Sequence, residues 1–293
     1  MELSWSMKLR IAIVLALGAA LIGFAAWPLV APPTPFDTAS AAAKIVSLTN
    51  FAIFIALGFA VGFIGYLLSW PFGKQVAVLA APAGLAIWAF RSGNIAGMIQ
   101  EYPTLEYRTH IYSIFMWEPV LWLLVVLAGF AGVMAAHKIF KAKTVTLTND
   151  DPIYNKFFNP IAAFAVSVIT VAFLTPFLAQ SVHLKGYAAQ PSTAQIFFAV
   201  IVAFGAAAYI SKMFLNAGFF WTVLASGAVT AVSIIFWAKE RVLVDLADTV
   251  PPVFFTNPLT AILPIQMVAF GTLGAISGYW LAVRYSLWKK QQP

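Results

Sequence analysis

The 293-residue chain has no cysteine at all. That single absence removes disulfides, thiolate nucleophiles, iron–sulfur clusters and zinc–thiolate sites together. Charge is nearly as scarce: 9% of residues are Asp, Glu, Lys or Arg, against 62% hydrophobic. A water-soluble domain carries about 25% charged residues, so a bilayer and not water is the expected solvent. Histidine is limited to His110, His137 and His183. All three lie at or beyond the ends of apolar runs, which leaves no facing pair at depth for bis-histidine haem.

The usual catalytic signatures are missing too. The Gly73-Lys74 pair runs into Gln75 and lacks the upstream glycine of a nucleotide-binding P-loop. Neither H-E-x-x-H nor G-x-S-x-G occurs, so the commonest membrane hydrolase patterns are absent. No Asp, Glu, Lys, Arg or His falls in the central part of any long apolar run, which argues against a proton-coupled carrier or pump. No cofactor, metal or nucleotide is therefore expected. The net charge of +7 raises the question of nucleic acid, but the basic residues cluster at the ends of apolar runs as topogenic charges do.

What is present is a set of apolar runs of spanning length, near 9–30, 46–70, 74–91, 119–139, 157–180, 194–214, 217–238 and 261–284. Trp27, Trp70, Trp117, Trp122, Tyr279, Trp280 and Trp288 sit near their edges, as an interfacial aromatic belt does. The expected fold is an all-α integral membrane protein of about eight transmembrane helices. Basic residues set its orientation. Lys8, Arg10, Lys74, Lys138, Lys141, Lys143, Lys156, Lys212, Arg284, Lys289 and Lys290 share one side with only Glu2, Asp150 and Asp151. On the other side Lys44, Arg91, Arg108, Lys185, Lys239 and Arg241 are offset by Asp37, Glu101, Glu106, Glu118, Glu240, Asp245 and Asp248. The positive-inside rule then places both termini in the cytoplasm and the longest loops outside, in a cytoplasmic membrane.

The order of events recurs. The third runs end in AIWAFRSGN (Ala86 to Asn94) and IIFWAKERV (Ile234 to Val242). The fourth are introduced by Glu118-Pro119 and Asn257-Pro258, and contain GFAG (Gly129 to Gly132) and GTLG (Gly271 to Gly274). We expect two parallel four-helix repeats, 1–140 and 157–293, joined by a cytoplasmic linker at 141–156. Four spans per unit give both units the same orientation, related by an axis along the membrane normal. Glycines at helical spacing, Gly58, Gly62 and Gly65 or Gly271, Gly274 and Gly278, read as close helix packing.

Function is expected in the outer loops or between the repeats. The stretch 91–118 carries Glu101, Tyr102, Glu106, Tyr107, Arg108, His110 and Trp117, with a short helix expected before Pro103. Its counterpart from Lys239 is amphipathic, with Arg241 and Asp245 on its polar side, and stops at Pro251-Pro252. Three roles compete for this cap. It is a docking face for a membrane or outer-face protein, since Tyr, Trp and Arg are enriched in binding hot spots. It is an interfacial enzyme site, with Glu101, Glu106 and His110 as acid and base. Or it gates a path between the repeats, near a polar cavity formed by Asn50, Ser226, Thr230 and Gln266; Pro82, Pro176 and Pro264 are candidate kinks. The first role makes the chain a non-catalytic subunit or scaffold of a larger assembly. The last makes it a transporter or permease for a neutral or lipophilic solute.

Overall fold

The computed structural model describes residues 5–32, 37–39, 47–140, 158–179 and 182–291. The linker expected at 141–156 lies outside them, as do the topogenic residues Glu2, Lys44, Lys141, Lys143, Asp150, Asp151 and Lys156. Eight helices among the described residues are long and apolar enough to cross a membrane. In a bilayer each backbone N–H must find its carbonyl within the segment, and an α-helix does this for a continuous apolar run.

Helix α1 (Trp5–Gly18) continues as a π-helical stretch, Ala19–Ala25. There the wider winding leaves the Gly23 carbonyl to accept the Trp88 indole N–H at 3.1 Å. Helix α2 (Leu48–Leu68) is capped by Ser47, whose hydroxyl accepts the Asn50 N–H. Short α3 (Gly73–Val76) leads through a 3-10 turn, Ala77–Leu79, into α4 (Ala80–Arg91). After the cap helices α5 (Ile95–Glu101) and α6 (Leu105–Phe115) comes α7 (Glu118–Phe140). The chain goes on through α8 (Phe158–Leu178), α9 (Thr193–Leu215), α10 (Phe219–Trp237), the cap helix α11 (Glu240–Thr249) and α12 (Pro264–Lys290). Ser192 and Gln195 form a reciprocal capping box at the start of α9. Pro264, a candidate kink, occupies the first turn of α12, where its missing N–H costs nothing. One departure from an all-helical chain is a small antiparallel sheet, β1 (His183–Leu184), β2 (Tyr187–Ala189) and β3 (Phe254–Phe255), in that order.

Lipid tails are as apolar as leucine, so these helices associate through close packing and not through exclusion of water. The glycines show where. A Cβ at Gly62 would lie 2.0 Å from the Gly129 carbonyl oxygen, and one at Gly132 2.0 Å from that of Phe59, so α2 and α7 touch backbone to backbone. A Cβ at Gly278 would lie 2.0 Å from the Gly205 carbonyl oxygen and one at Gly274 2.5 Å from that of Ile201, so α9 and α12 do the same. The span ending in α4 and α12 form the centre, 78% and 72% buried over their apolar windows, whereas α1 and α8 are at the rim with 22% each. Gln266 donates from α12 to the Ala89 carbonyl of α4, and Phe130 of α7 meets Phe219 of α10 edge to face.

The two ends of the bundle differ in charge. Arg10 lies over the Phe72 ring, and Asn159 donates to the Leu215 carbonyl, which places the start of α1 beside the end of α2 and the start of α8 beside the end of α9. Lys8, Arg10, Lys74, Lys138, Lys212, Arg284, Lys289 and Lys290 belong to this end, and no described acidic residue does. Every described Asp and Glu is at the opposite, capped end.

Candidate functional site: the cap

Local sequence builds the cap in short, well-terminated pieces. The Asn94 side chain accepts the Gly97 N–H at 2.7 Å to start α5, and Pro103 follows its end. The Thr104 hydroxyl accepts the Tyr107 N–H at 3.2 Å to start α6. Helix α11 buries Leu243 and Leu246 along one face and leaves Arg241, Asp245 and Asp248 exposed on the other. A 3-10 turn, Pro258–Ala261, capped by Asn257, joins β3 to α12.

These pieces are tied across large sequence distances. Arg108 is 4% exposed, and its guanidinium donates to the carbonyls of Pro252 at 3.1 Å and Phe254 at 3.2 Å. It was expected on the docking surface; it is instead an internal brace, because main-chain oxygens 144 and 146 residues away accept from one of its terminal nitrogens, while its buried Nε–H has no partner. The Tyr112 hydroxyl donates to the Thr260 carbonyl at 3.0 Å. Gln190, not picked out from sequence, accepts the Ala96 N–H and donates to the Ala261 carbonyl at 2.8 Å, so one side chain joins α5 to the turn before α12. Nothing in its local context, a polar residue before Pro191, marks it as more than a surface residue. The loop at 37–39 also lies on the cap, with the Thr38 hydroxyl against Met98 Sδ and the Ala39 N–H on the Ser92 hydroxyl.

On this braced base the remaining expected residues face outward. Trp117 is 71% and Tyr102 50% exposed, and Glu106, His110, Arg241 and Asp245 are exposed. Glu101 and Tyr107 are half-buried, and the Tyr102 and Tyr107 rings lie 4.9 Å apart. Glu101, Tyr102, Glu106, Tyr107 and His110 together line an open depression of about 430 Å³. Two acids and a histidine on aromatic walls favour cationic or hydrogen-bond-donating groups. Trp117 is not among its lining residues, and Arg241 and Asp245 belong to α11. The Tyr187 hydroxyl donates to Asp245 Oδ2 at 2.8 Å, and that hydrogen bond holds the phenol pKa above its ordinary value. No group of three His, Asp or Glu side chains among the described residues is placed to share a metal ion.

The residues expected around a mid-membrane cavity are not gathered at one point. Asn50, in the first turn of α2, donates to the Leu29 carbonyl at 3.0 Å. Gln266, in the first turn of α12, is 1% exposed and accepts the Leu263 N–H while donating to α4. Within α10, Ser226 donates to the Val223 carbonyl and Ser233 to that of Val229, while the buried Thr230 hydroxyl has no hydrogen-bond partner. The polar cluster that does form inside the bundle links three helices. Ser167 of α8 is 2.9 Å from Thr222 of α10 and 3.5 Å from Ser211 of α9.

Compared with known proteins, the chain matches no family model, no curated protein and no solved structure, so its cap and spans carry the whole of the functional evidence.

Proposed function

We propose that the chain is a non-catalytic integral subunit or scaffold of a larger membrane assembly, built from two parallel four-span units, with both termini on the cytoplasmic side and its partners on the outer cap. The observation that carries this reading is the cap itself. Exposed Tyr102, Trp117, His110 and Arg241 stand on a base that Arg108, Tyr112 and Gln190 fix by hydrogen bonds between distant segments. Pre-ordered aromatic anchors are what a docking face needs, because less side-chain freedom is lost on binding.

Two further observations support the architecture. The same sequence separation relates Gly132 to Gly274 and Phe59 to Ile201, and in each case the glycine meets the carbonyl of its partner. The GFAG and GTLG segments thus share a packing register as well as a spelling. The segregation of described acids to the capped end agrees with a cytoplasmic location for the basic end. Solute passage between the units has less behind it, since the Phe90, Phe197 and Phe270 rings pack there, tilted or edge to face, with centroids 5.0–5.1 Å apart, and the hydroxyls of Ser226 and Ser233 turn to their own helix.

The test is purification from the native membrane in mild detergent. Stoichiometric partners that are lost from a Tyr102→Ala, Trp117→Ala double variant, at unchanged membrane content, are expected; a lone monodisperse protein, or partners indifferent to the variant, refutes the reading. Because the chain lacks cysteine, single cysteines at 117 and 291 report orientation directly with an impermeant maleimide. Labelling from outside at 117 and not at 291 is expected.

A further inference from the structure

The α9–α12 crossing leaves an open groove of about 660 Å³ on the flank of the bundle, lined by Gly205, Ala206, Gly274 and Gly278 and, toward one end, by Tyr209 and Tyr285. On the α2–α7 crossing the side chain one turn beyond Phe59 is Phe63, which stacks on Phe59 and meets Phe140 edge-on. One turn beyond Ile201 on α9 stands only Gly205. Midway along the groove α9 presents only Gly205 and Ala206.

We propose that this groove seats one acyl chain of an anionic phospholipid, with the phosphate held by Arg284 and Lys289. Three features define that occupant. The groove runs from Ile201 to Ile210 on α9 and from Gly274 to Tyr285 on α12. At about 1.5 Å per residue this is roughly 14–16 Å, or one leaflet of a hydrocarbon core about 30 Å thick. Its lining reaches toward the basic end, where the Tyr209 and Tyr285 rings, 6.3 Å apart, stand at the depth of an interfacial belt. Arg284, next to Tyr285 and level with it, lies on the same side of α12 as Leu281 and Trp288 by helical spacing, is exposed, and has no ion pair or hydrogen bond among the described residues; exposed Lys289 follows one turn beyond Tyr285. Lys212 is engaged elsewhere, with the Asn216 side-chain oxygen and over the Tyr279 ring. Among the described residues every charge at this end is positive, which favours a phosphate there. A neutral lipid fills the groove equally well but leaves Arg284 and Lys289 without a counter-charge.

The site is independent of the subunit reading and is tested without any partner. The delipidated full chain is loaded in micelles with equal dioleoyl phosphatidylglycerol and dioleoyl phosphatidylcholine, and bound lipid is counted by native mass spectrometry. One retained lipid is expected, with phosphatidylglycerol preferred on the order of tenfold. Arg284→Ala with Lys289→Ala brings the preference close to parity, and Ala206→Phe, which fills the groove, lowers retention of both lipids. Ser277→Phe fills it from α12 and replaces Ala206→Phe if that chain does not yield monodisperse protein. Equal retention of the two lipids by the unaltered chain overturns the proposal, as does a preference untouched by the charge variant or retention untouched by a filling variant. A dimer of this chain that a filling variant dissociates also overturns it, since the groove would then belong to a second copy.

Discussion

The α2–α7 and α9–α12 crossings use one device to opposite surface effect. In both, glycines let two backbones touch: Gly62 on Gly129 and Gly132 on Phe59 in the first, Gly274 on Ile201 and Gly278 on Gly205 in the second. The first is then overlaid by Phe59, Phe63 and Phe140, while the second stays open. Backbone approach and surface shape are thus set by different residues, and a helix pair can keep its geometry while its flank is redrawn.

The comparison breaks most violently at the glycines. Gly132→Val and Gly278→Val each drive a side chain into a carbonyl oxygen, and overpacking of this kind costs about 1–3 kcal/mol or more. Equal loss of monodisperse protein and of thermal midpoint is expected in both; a tolerated change on one side would show that the two crossings are not equivalent. Arg108→Ala comes next, because hydrogen bonds to charged groups contribute about 1.5–3 kcal/mol and the carbonyls of Pro252 and Phe254 lose their donor. It should speed proteolysis and hydrogen exchange over 250–262, whereas exposed Arg241→Ala stays within about 0.5 kcal/mol. Phe63→Ala removes two ring contacts, each of about 0.5–1.5 kcal/mol, and lowers the thermal midpoint; Ala206→Phe, which adds a ring over the open crossing, does not. The smallest effect lies at the cap edge. Tyr187 should lose its phenolic proton at higher pH than an ordinary tyrosine, and Asp245→Ala should bring that titration down, read by NMR of ring-labelled tyrosine with Tyr187→Phe as the assignment. The raised value means that the Tyr187–Asp245 contact holds below the phenol's titration and is lost as pH rises through it.

The spans were legible because a bilayer imposes one simple demand, a continuous apolar run of fixed length, and the sequence meets it eight times. The cap helices were legible where proline ends them, α5 before Pro103 and α11 before Pro251. What the sequence hid depends on partners far along the chain. Arg108 reads as a surface charge until its acceptors at 252 and 254 are in place. Gln190 reads as an ordinary polar residue until Ala96 and Ala261 converge on it. Within the π-helical stretch Ala19–Ala25 the Gly23 carbonyl accepts from the Trp88 indole, 65 residues on, a contact that no periodicity within α1 encodes. Glycine spacing did indicate close packing, but not the groove, because a groove is defined by which side chains are missing from the opposite helix.

The separation of charge between the two ends has an electrical corollary. Moving one elementary charge through a transmembrane voltage is worth about 2.3 kcal/mol per 100 mV, and the described spans hold no charged side chain near mid-membrane on which such a voltage could act. Depolarising the membrane therefore finds no described mid-membrane charge to work on, and the packed bundle is expected to keep its shape as the voltage changes.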